Sequence, residues 1–125
     1  MAGGAMIVAG IGCTSRATLA EMRALLEQMT RGRAPARIAC LEGRAHMLAP
    51  LAQALDLPLV PLPRAALRGI STPTISGRVM AEFGTGSVAE ACALAGAGTG
   101  AAIVALRQTS DAGQATCALA EGMTE

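Results

Sequence analysis

The twelve residues from Phe83 to Leu94, FGTGSVAEACAL, constrain this chain more than any other stretch. Glycines flank Thr85, so the backbone can turn sharply there. Ser87 and Glu90 have the spacing of a capping box, in which the hydroxyl accepts from an N–H in the first helical turn and the carboxylate reaches back to the cap. An apolar run follows at once, so the pattern predicts a loop that opens a buried helix. The N–H groups of that first turn have no intrahelical partners and sit at the positive end of the helix dipole. Gly84, Gly86 and Ser87 are therefore candidates to hold a carboxylate or phosphate. Capping alone explains the same residues and is worth roughly 1 kcal/mol. An anion gains about 0.3–1 kcal/mol from the dipole, rising to ~2 when partly buried, so useful affinity needs further contacts. Arg16, Arg78 and Arg107 are the candidates to supply them.

Upstream, the apolar run from Met6 to Ala9 predicts a buried first strand, with Gly10, Ile11, Gly12 and Cys13 turning into a helix. Thr18 and Glu21 make a second capping box, and Leu19, Met22, Leu25, Leu26 and Met29 recur at helical spacing as far as Gly32. Ala36 to Leu41 is the next strand. A helix should follow with Leu48, Leu51, Ala52 and Leu55 on one face, its regular part starting near Pro50, since proline fits poorly inside a helix. The run from Leu57 to Leu62 carries Pro58 and Pro61 and suits an edge strand. Ala65 to Arg68 reads as a helical turn. Residues 69–77, rich in Ser, Thr, Pro and Gly, read as a surface loop of the kind that often carries binding residues, with Ser76 and Arg78 at its end.

After the Ser87 helix, which the run Ala95, Gly96, Ala97, Gly98 should end, the apolar residues Ala101 to Leu106 predict a central strand. Asp111, Ala112 and Gly113 supply a turn, and Ala115 to Ala120 return as an antiparallel hairpin partner, leaving Glu121 to Glu125 frayed. Alternating strands and helices imply an α/β fold: one three-layer α/β/α domain spanning residues 1–125, with a mixed, mostly parallel sheet.

Composition narrows the functional classes. Apolar residues make up 52% of the chain, yet Phe83 is the only aromatic, so Ala, Leu, Val, Ile and Met must build the core. Ten basic against nine acidic residues give no electrostatic footprint for a polyanion, and there is no stacking platform for bases, so no nucleic-acid partner is expected. The N-terminal residues Met1 to Met6 lack the basic flank of a signal peptide, and the apolar run is glycine-broken well short of a membrane span. A cytoplasmic protein with no membrane contact is expected. Cys13, Cys40, Cys92 and Cys117 are too dispersed for a zinc knuckle or a redox pair, so reduced thiols without metal or cofactor are expected.

The run from Gly10 to Ser15 approaches a dinucleotide fingerprint, but Ser15 stands at the third glycine and Glu42 lies far beyond the roughly 20-residue spacing of the ribose-binding acid. Gly10 and Gly12 are explained equally well by a tight strand-to-helix turn. Cys13, at the expected helix start, would gain thiolate character there. It and Glu90 are the candidate nucleophile and acid or base. His46 is the only histidine, so no Ser–His–Asp or Cys–His constellation is assigned.

Together these landmarks resemble the family formed by CobE and the C-terminal domain of CbiG, of cobalamin (vitamin B12) biosynthesis. The resemblance runs through Gly10, Ile11, Gly12 and Cys13, through Thr18 and Glu21, and through Leu55, Asp56, Leu57, Pro58 and Leu59 before Pro61. It continues with Ser76 and Val79 and with the closing residues Thr116 to Ala120, and is most specific at Gly84, Ser87, Val88, Glu90, Ala91, Ala93 and Leu94. Where family members carry lysines after the second and the penultimate strands, this chain has Glu42 and Leu106, so no role of those lysines carries over.

The resemblance implies a place in the corrinoid pathway and a precorrin or corrinoid small molecule as partner, lined by Gly10, Gly12, Cys13, Ser76, Gly84, Gly86 and Ser87. Such intermediates carry many carboxylates around an apolar ring. CbiG is associated with opening a lactone on a cobalt-precorrin, so a hydrolase-like step using Glu90 or Cys13 is one alternative. Another is an interaction module that passes intermediates between tetrapyrrole methyltransferases.

Overall fold

Apolar residues alternate along β1 (Ala5–Cys13): Ile7, Ala9 and Ile11 serve one face of the sheet, Met6 and Val8 the other. A strand that is apolar on both faces needs cover on both, and the chain supplies it. The computed structural model describes residues 5–31 and 33–123. They form β1, α1 (Leu19–Thr30), β2 (Arg37–Leu41), α2 (Ala45–Leu55), β3 (Leu59–Leu62), α3 (Arg64–Leu67), α4 (Gly77–Phe83), α5 (Val88–Ala97), β4 (Ala102–Thr109) and β5 (Ala115–Met123). The five strands lie in the order β3-β2-β1-β5-β4. β1, β2 and β3 pair in parallel, whereas β5 runs antiparallel to both β1 and β4, so four strands point one way. The mixed, mostly parallel α/β sheet expected from the sequence is present.

On one face, Met22, Leu25 and Leu26 of α1 and Leu48 and Leu51 of α2 pack against Ala9, Ile11, Ile38 and Cys117. On the other, Ala91, Cys92, Ala93 and Ala97 of α5 meet Val8, Ala39 and Ala120, with Leu67 of α3 beside them. The second interface is built almost wholly of small residues, and Gly10 shows why. A Cβ on Gly10 would lie 2.1 Å from the Ala89 carbonyl oxygen and 2.4 Å from the Ala93 nitrogen, so the helix backbone rests directly on the strand.

That close approach corrects the expected turn at Gly10, Ile11, Gly12 and Cys13. β1 runs straight through these residues, paired with Ala115–Ala118 of β5, and Gly10 serves helix contact rather than a turn. α1 starts only at Leu19, where the Thr18 hydroxyl accepts from the Glu21 N–H at 3.0 Å. The fingerprint geometry of a strand turning directly into its helix is thus not formed. Gly32, expected to end α1, lies outside the described residues; Arg31 ends the helix in a left-handed conformation, its N–H bonding the Glu27 carbonyl.

Four further expectations change. Pro50 sits inside α2, which begins at Ala45 rather than near the proline. The carbonyl it leaves without a donor, that of His46, belongs to an exposed residue, so water can satisfy it. β4 is an edge strand rather than a central one, because β5 inserts between it and β1; Val104 and Leu106 are consequently half-exposed. Glu121 to Met123 are strand rather than frayed, held by pairing with Ala5–Ile7, while Thr124 and Glu125 lie outside the described residues. The expected 69–77 loop is formed as far as Ser76, which caps α4; the helix takes only Gly77 from it, and Arg78 stands in the helix rather than at the loop's end. Among the described residues no helix is long and apolar enough to cross a membrane.

Glu21 does more than open α1. Its carboxylate accepts from the Ser110 hydroxyl and from the Gln114 N–H at 2.9 Å, tying the helix to the β4–β5 turn. The Ser110 bond holds its carboxyl below the ordinary 4.5, with burial opposing and the Gln114 and Thr18 groups assisting. A carboxyl depressed by folding contributes stability above its unfolded value and loses it as pH falls through the folded one. Acidification below about pH 4.5 should therefore lower the urea midpoint of the wild-type chain more steeply than that of Glu21→Gln. Parallel pH profiles for the two proteins would contradict this role.

Candidate functional site

In an open α/β sheet, ligands enter at the carboxyl ends of the strands, where successive connections leave in opposite directions. Here that point lies at β1. The chain leaves it through α1 toward β2 and β3, and returns through α5, on the other face, to β4 and β5. A cleft of about 370 Å³ opens there. Its floor is Ile11, Gly12 and Cys13 at the end of β1, Leu41 at the end of β2, and Ala115 and Thr116 at the start of β5. α4 forms one wall with Val79 and Phe83, and Val88 closes the base.

Three arginines reach this cleft from three separate elements: Arg44 after β2, Arg78 on α4 and Arg107 on β4. One carboxylate, Glu82, lines it with them. An excess of cations over apolar walls suits a ligand with an apolar body and anionic arms. The wall formed by the β4–β5 turn is fixed by the Thr14 N–H donating to the Gln114 carbonyl at 2.9 Å and by the Glu21 tie.

Of the residues singled out in the sequence, Gly12, Cys13, Arg78 and Arg107 line the cleft. Arg16 is exposed and outside it, and Gly10 lies beneath α5. Ser76, Gly84, Gly86 and Ser87 hold the walls rather than face the opening. Ser76 caps α4, its hydroxyl accepting from the Val79 N–H, and Gly84 ends that helix at φ 72. Ser87, fully buried, caps α5 through the Glu90 N–H at 3.2 Å. Gly86 is pressed against the 69–76 loop: a Cβ there would lie 2.5 Å from the Thr74 carbonyl oxygen. The Ser76 N–H bonds the Gly86 carbonyl at 2.9 Å, and the Thr85 hydroxyl bonds the Ile70 carbonyl at 2.6 Å. The start of α5 is thus covered by protein.

Glu90 completes only half of the expected capping box. Its N–H is capped, but its carboxylate turns away from Ser87. It accepts from the Thr74 N–H at 2.8 Å, the Thr74 hydroxyl at 2.7 Å and the Arg107 N–H at 2.9 Å while fully buried. It clamps the loop and the edge strand to α5, and in doing so sets the base of Arg107 at the cleft. Cys13 ends β1 instead of opening a helix, and burial pushes its thiol up, with Arg44 partly offsetting this and Glu21 adding to it. Cys40 is pushed up to about 11, and Cys92 and Cys117 to about 12, all chiefly by burial. His46 is exposed on α2. Among the described residues no three His, Cys, Asp or Glu side chains gather as metal ligands.

The sequence reading missed Arg44 and α4. Arg44 was findable, since it follows the carboxyl end of a predicted parallel strand, where α/β proteins place ligand contacts. α4 gave no apolar periodicity because none of its residues is buried.

The fold and cleft define an open α/β protein with a cationic crevice at its switch point. The chain belongs to the cobalamin synthesis G C-terminus family, whose profile matches residues 7–120, and it is a cobalamin-biosynthesis protein. It is similar to CobE, a protein from the cobalamin biosynthetic pathway, at 32% identity over 100% of this chain and 96% of that one, with a TM-score of 0.83. The cobalamin biosynthesis protein chiG from Agrobacterium tumefaciens matches at 31% identity over 91% of this chain and 96% of its own, with a TM-score of 0.70. A cobalamin biosynthesis protein G homolog from Sulfolobus solfataricus shares the fold, at 17% identity and a TM-score of 0.72 over 96% of this chain and 37% of that one. Among curated protein sequences no relative matches the chain.

Proposed function

We propose that this protein binds a carboxylate-rich precorrin or corrinoid intermediate in the cleft at the ends of β1 and β2. The observation that carries this reading is the convergence of Arg44, Arg78 and Arg107 on a floor of Ile11, Leu41 and Val88. An apolar macrocycle ringed by acetate and propionate arms complements such a surface, each arm meeting a guanidinium and the ring edge meeting aliphatic side chains. At about 370 Å³ the cleft accepts an edge of such a ring and its arms rather than enclosing the whole.

Binding has better support than turnover. Both Glu90 oxygens are occupied by internal donors away from the opening, and burial favours the protonated form of the Cys13 thiol. Neither is poised as a base or nucleophile.

Cobyrinic acid, a corrin with free carboxylates, is the test ligand, and cyanocobalamin, whose side chains are amides, the control. Each of Arg44→Ala, Arg78→Ala and Arg107→Ala should raise the Kd for cobyrinic acid about tenfold, the equivalent of one charge-assisted hydrogen bond. Binding should weaken with added salt, and cyanocobalamin should bind far less well. Unchanged Kd in all three variants would remove the carboxylate site from this cleft. A new pigment after incubation with pathway intermediates would make the protein an enzyme. Absence of any pigment on the eluted protein would move its role to partner proteins.

A further inference from the structure

α4 supplies Arg78, Val79, Glu82 and Phe83 to the cleft, yet none of its residues is buried. A helix with no buried face is not fixed by its own packing. It is tied at its ends by the Ser76 N–H to the Gly86 carbonyl and by the Gly69 N–H to the carbonyl of its cap residue Gly84, both at 2.9 Å. Beyond these backbone ties, two arginines reach its far end: the Arg68 side chain lies against Gly84, and Arg64 makes the polar contacts. Arg64 on α3 donates from Nη2 to the Glu82 carbonyl at 3.0 Å, lies 3.9 Å from the Glu82 carboxylate, and stacks its guanidinium 4.5 Å from the Phe83 ring centroid. α3 is itself anchored, because Leu67 is fully buried against the α5 side of the core.

We propose that Arg64 is a positioning residue: standing outside the cleft, it holds α4 as the cleft wall and thereby sets Arg78 where a ligand carboxylate arrives. The proposal rests on reading the cleft as a corrinoid carboxylate site. It also gives Phe83, the only aromatic residue of the chain, a specific use as the platform for that guanidinium. Each of these exposed contacts is worth a factor of about two to five in an equilibrium constant.

Amide hydrogen exchange and cobyrinic acid binding test this together. Arg64→Ala should speed exchange across Met80–Gly84 by about tenfold and leave α5 unchanged, because the Arg64 side chain is 62% exposed and outside the core. It should raise the Kd for cobyrinic acid about three- to tenfold. In Arg78→Ala the further change Arg64→Ala should add little, since a positioned group is no longer there to misplace. Arg64→Lys, which keeps the charge without the planar fork, should restore part of the affinity. Unaltered exchange in α4, or effects of Arg64→Ala and Arg78→Ala that simply add, would overturn the positioning role. A wild-type protein that fails to bind cobyrinic acid would instead overturn the cleft reading, and the exchange measurement alone would then decide whether Arg64 holds α4.

Discussion

Gly10→Val is expected to lower the free energy of unfolding by about 3 kcal/mol or more, enough to leave much of the protein unfolded or insoluble at 37 °C. Even the first carbon of the new side chain would lie 2.1 Å from the Ala89 carbonyl oxygen and 2.4 Å from the Ala93 nitrogen, and both are backbone atoms that cannot rotate aside. α5 would have to lift from the sheet, and it cannot lift alone. Its buried alanines Ala89, Ala93 and Ala97 meet the strands at Gly10 and Gly122 through backbone and little more than a methyl group each, so a shift of an ångström forfeits much of that contact. β1 cannot move away either, since it is paired with β5 along nine residues and with β2 on its other side. Gly10→Ala should cost less but still shift the urea midpoint clearly. A midpoint for Gly10→Val within the equivalent of ~0.5 kcal/mol of wild type would show that the helix does not rest on this strand.

Glu90→Ala should be comparably damaging, at about 3–5 kcal/mol. The carboxylate satisfies two backbone N–H groups, of Thr74 and Arg107, and one hydroxyl, in a site closed to water. Removing it leaves those donors without an acceptor and opens a void at the start of α5. Glu90→Gln preserves shape and one oxygen, but turns an NH2 toward a donor, and should cost about 1–2 kcal/mol. The effect should be local before it is global: amide exchange at Thr74 and Arg107 should rise first, because these segments lose the clamp. If Glu90→Ala retained full stability, the carboxylate could not be what holds the 69–76 loop and β4 to α5. The clamp also bears on any catalytic test, since a Glu90 variant that loses a pathway activity has first lost its loop and the setting of Arg107.

The alternation of elements and the two caps foreseen, one threonine and one serine, were legible because they are local. Thr18 and Ser87 cap helices wherever those helices end up in space, and the proline-flanked β3 can occupy only an edge. The hairpin of β4 and β5 was equally legible from its turn. The rank of β4 in the sheet was not. An apolar run such as Ala102–Leu106 reads as central, and only the insertion of β5 between β4 and β1 leaves Val104 and Leu106 at an edge. Family membership was legible for a related reason: the segment from Gly84 to Leu94 combines caps, close backbone approaches and a buried acid, each of which restricts the residue type.

The sequence by itself determined that this is an α/β chain with a core of small aliphatic residues, that helices open at Thr18 and Ser87, and that the relatives are cobalamin-biosynthesis proteins. Only the tertiary structure decided what the glycines and Glu90 are for, and where the cleft lies. Gly10 answers to Ala89 and Ala93, Glu90 to Thr74 and Arg107, and the cleft to arginines on three separate elements. A cap or a turn is fixed by neighbours a few residues away. A close approach, a buried hydrogen-bond clamp and a convergent charge are fixed by partners that only the packed sheet brings together.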